Sequence, residues 1–119
     1  MKYTSLNYGG EEFKLRITAA ATIDLEKKLG GRNPLDILMA VESGNMPSIS
    51  SVLLIFHAAI QKFHHGVKFD DIVNLYDQYV EDGNAYTDLL PVLIEVFRVS
   101  GFFPSQEKTQ ETSTQQANQ

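Results

Sequence analysis

The sequence predicts a mainly α fold: a compact bundle of about five helices, an N-terminal β-hairpin and a disordered C-terminal tail. Three observations carry that prediction. Apolar residues recur at three- and four-residue steps through successive segments, each bounded by Gly, Pro, Asn, Asp or Ser. Ahead of them, a short stretch alternates apolar with polar residues on one side of a Gly-Gly pair. The last 16 residues, PSQEKTQETSTQQANQ, hold no large apolar side chain and cannot repay the entropy of ordering. A chain of 119 residues, 43% hydrophobic, suits one core. The expected division is a single domain over residues 1–103 and a polar tail over 104–119.

Strands are expected at Tyr3–Asn7 and Glu12–Ile17, around Tyr8-Gly9-Gly10-Glu11. Gly-Gly supplies the positive φ angles of a tight hairpin turn. In the second strand Phe13, Leu15 and Ile17 alternate with Lys14 and Arg16, which gives one buried and one wet face. Thr18 is placed to cap a first helix near Ala19–Leu29, which Gly30-Gly31 ends. Its expected inner face is Ala19, Ala20, Ile23 and Leu29. Asn33-Pro34 pairs an N-cap with a first-turn proline and starts a short helix to about Glu42. Ser48 or Pro47 opens the most apolar helix, Ile49–His65, with Val52, Leu53, Phe56, Ala59, Ile60 and Phe63 on its stripe. Gly66 is expected to stop it in a left-handed turn. A fourth helix, Phe69–Glu81, turns Ile72, Val73, Tyr76, Tyr79 and Val80 inward and sets Asp70 and Asp71 against the positive end of its dipole. The fifth spans about Ala85–Val99; Pro91 either kinks it or marks an α-helical start near Leu90.

Composition narrows the function. A formal net charge of −5, from 15 acidic and 10 basic residues, disfavours general nucleic-acid binding, which needs Lys and Arg to neutralise phosphates. No apolar run reaches the roughly 18 residues that a membrane span requires. The opening MKYTSLNYGGEEF has no signal-peptide core, so the cytoplasm of the producing cell is expected. The absence of Cys rules out disulfides and thiolate metal sites.

The stretch KFHHGVKFDD poses the one chemical question. His57, His64, His65, Asp70 and Asp71 are the residue types of a metal-dependent hydrolase. On one helix, however, His57 and His64 stand roughly 10 Å apart along the axis, and His64 and His65 point about 100° apart. Neither pair has the spacing of HExxH. Helix ends account for these residues: His completes a C-terminal dipole and Asp an N-terminal one. Walker and GxSxG patterns are also missing. No catalytic residue, metal ligand or cofactor is therefore expected, and the chain does not read as an enzyme. Phe102 and Phe103 leave two readings open, folding back on the core or docking on a partner.

Several segments resemble the tail assembly chaperones of long-tailed, non-contractile phages and prophages of Gram-positive bacteria. They are Leu25-Glu26-Lys27-Lys28-Leu29-Gly30-Gly31, Asn33-Pro34-Leu35-Asp36-Ile37, and residues 56–103, FHAAIQKFHHGVKFDDIVNLYDQYVEDGNAYTDLLPVLIEVFRVSGFF. The resemblance covers nearly the whole domain and leaves out the tail. It implies a non-enzymatic protein of the host bacterial cytoplasm, absent from the mature virion. Such a protein binds the long, helical tape measure protein and keeps it soluble while tail tube subunits assemble around it. It also implies a longer frameshifted form that recruits the tail tube protein, and self-association. A groove for an apolar helix would then be expected among the third to fifth helices, lined by Phe56, Phe63, Tyr76, Tyr79, Phe97, Phe102 and Phe103. A head–tail connector adaptor of the same helical fold is the alternative; the metal-dependent hydrolase ranks below it.

Overall fold

The computed structural model describes residues 2–103. Strands β1 (Thr4–Tyr8) and β2 (Glu11–Leu15) pair antiparallel, with Leu6 opposite Phe13 and Thr4 opposite Leu15. Gly9 and Gly10 join them with φ of 64° and 79°, the positive values a two-residue hairpin turn demands. The second strand was expected to reach Ile17, but the ladder stops at Leu15. Beyond it the backbone bonds to helices instead. Arg16 N–H donates to the Ala59 carbonyl at 3.0 Å, and Ile17 N–H to Ser100 Oγ at 3.0 Å. Leu15 and Ile17 are buried as the alternation requires.

Helix α1 (Ala19–Lys28) begins at Thr18, whose Oγ1 accepts the Ala21 N–H at 3.1 Å. Its inner face differs from the expected one. Ile23 is 56% exposed, and Ala19 and Ala20 face solvent; Thr22, Leu25 and Leu29 are buried. Two stripes competed on this helix. Leu29 lies inward as expected, while Thr22 and Leu25 take the places expected of Ala19, Ala20 and Ile23. The Thr22 hydroxyl, which would oppose its own burial, donates to the Thr18 carbonyl at 2.8 Å.

The end of α1 sets a pattern. Gly31 N–H donates to the Glu26 carbonyl and Gly30 N–H to Lys27, the paired bonds of a Schellman cap. The same pair recurs at Gly44-Asn45, Gly83-Asn84 and Gly101-Phe102, each with the glycine in the left-handed region.

Helix α2 (Pro34–Met39) starts as expected, with Asn33 Oδ1 accepting the Leu35 N–H at 2.9 Å. It stops at Met39, short of Glu42, and tightens into a 3-10 turn over Ala40–Ser43. Helix α3 (Ile49–Ile60) is capped by Ser48 and is the centre of the core: Val52, Ile55, Ala59 and Ile60 have no exposed surface. It ends at Ile60 rather than His65. Gly66 is not in the left-handed region and ends nothing. The exit is held by side chains instead. Gln61 Nε2 donates to the Val67 carbonyl at 2.7 Å, and a His57 ring nitrogen lies 3.1 Å from the same oxygen.

Helix α4 (Phe69–Glu81) has the expected bounds, and Asp71 Oδ2 accepts the Lys68 N–H at 2.8 Å. Ile72 and Tyr79 are buried, with Val73, Leu75 and Tyr76 packed beside them. Val80, expected inward, is 43% exposed. It sits roughly 80° around the helix from Ile72, and Leu75 fills the stripe in its place. A 3-10 turn, Tyr86–Asp88, leads into α5 (Leu89–Val99). Pro91 therefore falls in the first turn, where no N–H has an intrahelical acceptor and a proline removes nothing. Leu89, Leu90, Leu93, Val96 and Phe97 are buried; Ile94 is half-buried. The hairpin packs β1 on α5 and β2 on α3, so five helices and one hairpin share one core. The expected disorder of 104–119 lies outside the described residues.

Candidate functional site

Of the seven aromatic residues expected to line a groove, Phe56, Tyr79 and Phe97 are buried in the core. Phe56 and Phe97 are 2% and 0% exposed, so both are core residues with no surface for a partner. Tyr79 is buried, and Tyr8 meets it edge-on with ring centroids 5.2 Å apart. Tyr76 is half-buried beside them. Together with Leu6, Leu53, Ile72, Leu75 and Leu89 these rings surround a gap of about 10 Å³, room for no more than one water. Burial raises the pKa of the Tyr76 and Tyr79 hydroxyls. Phe63 is half-buried and packs its edge on Tyr3 at 5.6 Å.

Phe102 and Phe103 take the core reading. Phe102 is the residue after the Gly101 cap, and its ring stands edge-on to Phe97 at 4.8 Å. That is the apolar contact a Schellman cap favours. One edge of Phe102 stays open, at 39% exposure, and Phe103 packs partly on the core.

The histidines and aspartates are dispersed over separate structural tasks. His64 Nε2 accepts the backbone N–H of Lys14 at 3.1 Å, and its ring lies 5.8 Å from that of Phe13. His57 meets Val67 and, edge-on, Phe69. Asp71 caps α4, while His65 and Asp70 face solvent. Among the described residues no three His, Cys, Asp or Glu side chains are grouped to hold a metal ion.

An open apolar groove lies elsewhere, between the α2 end and α5. Leu38, Val41, Glu42 and Met46 form one wall; Thr87, Leu90, Pro91, Ile94 and Glu95 form the other. Its volume is about 440 Å³. Met46, 49% exposed, stands at its edge. The second wall follows one face of α5, where positions 90, 91, 94 and 95 recur at three- and four-residue steps, with Thr87 of the preceding 3-10 turn ahead of them. On α5 that face runs from Leu90 to Glu95, roughly 8 Å or about one and a half turns. Glu95 is oriented by Arg98, whose Nε donates to Oε2 at 2.8 Å and whose Nη2 binds the other oxygen. The hydrogen bond and the charge of Arg98 hold the Glu95 carboxyl below its ordinary pKa, so it is ionised near neutrality.

Sequence reasoning missed this groove because it sought aromatic residues on the strongest apolar stripe. A usable signal was present. Helix α5 is apolar on more than one face, and Pro91 with Ile94 stands beside the core stripe of Leu89, Leu90, Leu93 and Val96.

Fold and surface together define a small helical domain with an N-terminal hairpin and an open apolar groove. Within that class the chain belongs to the Family of unknown function (DUF6096), whose profile matches residues 2–119 and so includes the polar tail. No curated protein matches the chain. No solved structure matches it either. Among the described residues no helix is long and apolar enough to cross a membrane.

Proposed function

We propose that the protein is a phage tail assembly chaperone that binds the tape measure protein and keeps it soluble during tail tube assembly. It acts without catalysis, in the host bacterial cytoplasm, and is left out of the mature virion. The segments that resemble such chaperones motivate the reading. The observation that carries it is the groove between the α2 end and α5. An apolar guest helix needs an apolar strip with anchors at three- and four-residue steps. Val41, Met46, Pro91 and Ile94 supply its accessible part, over the buried Leu38 and Leu90.

Co-expression with a tape measure protein encoded by the same genome tests the reading. The expected outcome is a larger soluble fraction of tape measure protein and its co-purification with this chain. Met46→Glu with Ile94→Glu should abolish both while far-UV circular dichroism stays unchanged. Tape measure protein that stays insoluble and uncaptured beside the wild-type chain would refute the proposal.

A further inference from the structure

Resting on that reading, the charges around the groove specify its guest. Two of the nine lining residues are acidic, Glu42 and Glu95, and among the described residues no Lys, Arg or His lines it. Both carboxylates border apolar lining, Glu95 with its charge balanced by Arg98. Arg98 holds Glu95 in place, whereas Glu42 is exposed. The whole chain carries a net charge of −5, so the long-range field has the same sign as the rim.

We infer that the groove takes an amphipathic α-helix whose apolar stripe is flanked by Lys or Arg. The apolar stripe fills the floor, and the basic flanks meet Glu42 and Glu95. A guest flanked by Asp or Glu meets uncompensated like charge at Glu42, since Arg98 balances Glu95, and complementarity of this kind sets partner choice more than raw affinity. The charge of the guest, not only its hydrophobicity, therefore selects which segments of a long helical partner are covered.

The chain contains no Trp, so a Trp placed in a guest peptide's apolar stripe reports its own burial by fluorescence. Two synthetic helical peptides with one shared apolar stripe are titrated into the full chain, one flanked by Lys and Arg, the other by Glu. The expected result is at least about tenfold tighter binding of the basic peptide at low salt, narrowing as salt rises. Glu42→Lys with Glu95→Gln should remove that preference. Equal affinity for the two peptides overturns the charge inference and leaves the groove as an apolar site. No binding of either peptide, with tape measure protein still captured in co-expression, overturns the inference while the chaperone reading stands. No binding and no capture overturns both.

Discussion

His64 closes the free edge of the hairpin, and its removal gives a worked test of how the fold is held. One edge of β2 pairs with β1. Its other edge has two anchors, His64 Nε2 on the Lys14 N–H and the Ala59 carbonyl on the Arg16 N–H. His64→Ala leaves the Lys14 N–H without its acceptor. An orphaned buried donor costs about 1–3 kcal/mol, and the part-buried site lets water return, so the lower end applies. Loss of the ring from Phe13, 5.8 Å away, adds about 0.5–1 kcal/mol. The sum, near 2 kcal/mol, is a large share of the 5–15 kcal/mol typical of a domain. Urea denaturation followed by circular dichroism should show the midpoint falling by roughly 1 M. Amide exchange should speed up at Lys14 more than at Arg16. His64→Phe keeps the ring but not the acceptor, and should cost only about half as much. An unchanged midpoint together with unchanged exchange at Lys14 would refute the reasoning.

The corrected face of α1 predicts opposite outcomes at neighbouring positions: Ile23→Lys should shift stability by no more than about 0.5 kcal/mol, and Leu25→Ala should lower it by about 2–5 kcal/mol. Denaturation midpoints of the two variants check it. Gly101 has φ of 93°, so Gly101→Ala should cost about 1–2 kcal/mol and loosen Phe102 from Phe97, seen as faster exchange of the Phe102 amide. The Tyr8 hydroxyl, bonded to Asp82, has its pKa pushed up to about 12 by that hydrogen bond first and by burial second. Its folded pKa exceeds the ordinary value, so its stabilising effect is whole below about pH 10 and is lost as pH rises through about 12. Tyr76 and Tyr79 also ionise late, so ultraviolet titration should show several late-ionising tyrosines and one fewer in Tyr8→Phe; a late phase unchanged by that substitution would count against the bond.

Residues that act through their own backbone were the most legible. Thr18 and Asn33 cap where their side chains lead one to expect, and Asp71 answers the Lys68 N–H at the start of α4. Gly9-Gly10 and Gly30-Gly31 hold positive φ, as turn and helix-end glycines do. Gly66 is the instructive exception. It stood at the end of a continuous apolar pattern, yet Gln61 and His57 bind Val67 and take the chain out of the helix six residues earlier. A contact to a residue not yet in the helix leaves no mark on its periodicity. Three of the expected site residues, Phe56, Tyr79 and Phe97, went to the core for a related reason. Phe56 and Phe97 have the pattern of a groove wall and the pattern of a core, and periodicity cannot tell one from the other.

Local chemistry alone thus accounts for the five helices, the hairpin, most of the caps and the burial of α3, because propensity, capping and alternation act within a few residues. Pairings that span the chain are a separate matter. Arg16 meets Ala59, Ile17 meets Ser100, and Tyr8 meets Asp82, each across at least 43 residues. Which stripe of α1 turns inward, where α3 ends and which face of α5 is left open all follow from what packs against each element. A helix with two apolar faces can bury either. Only the assembled core, by occupying one, leaves the other as a groove.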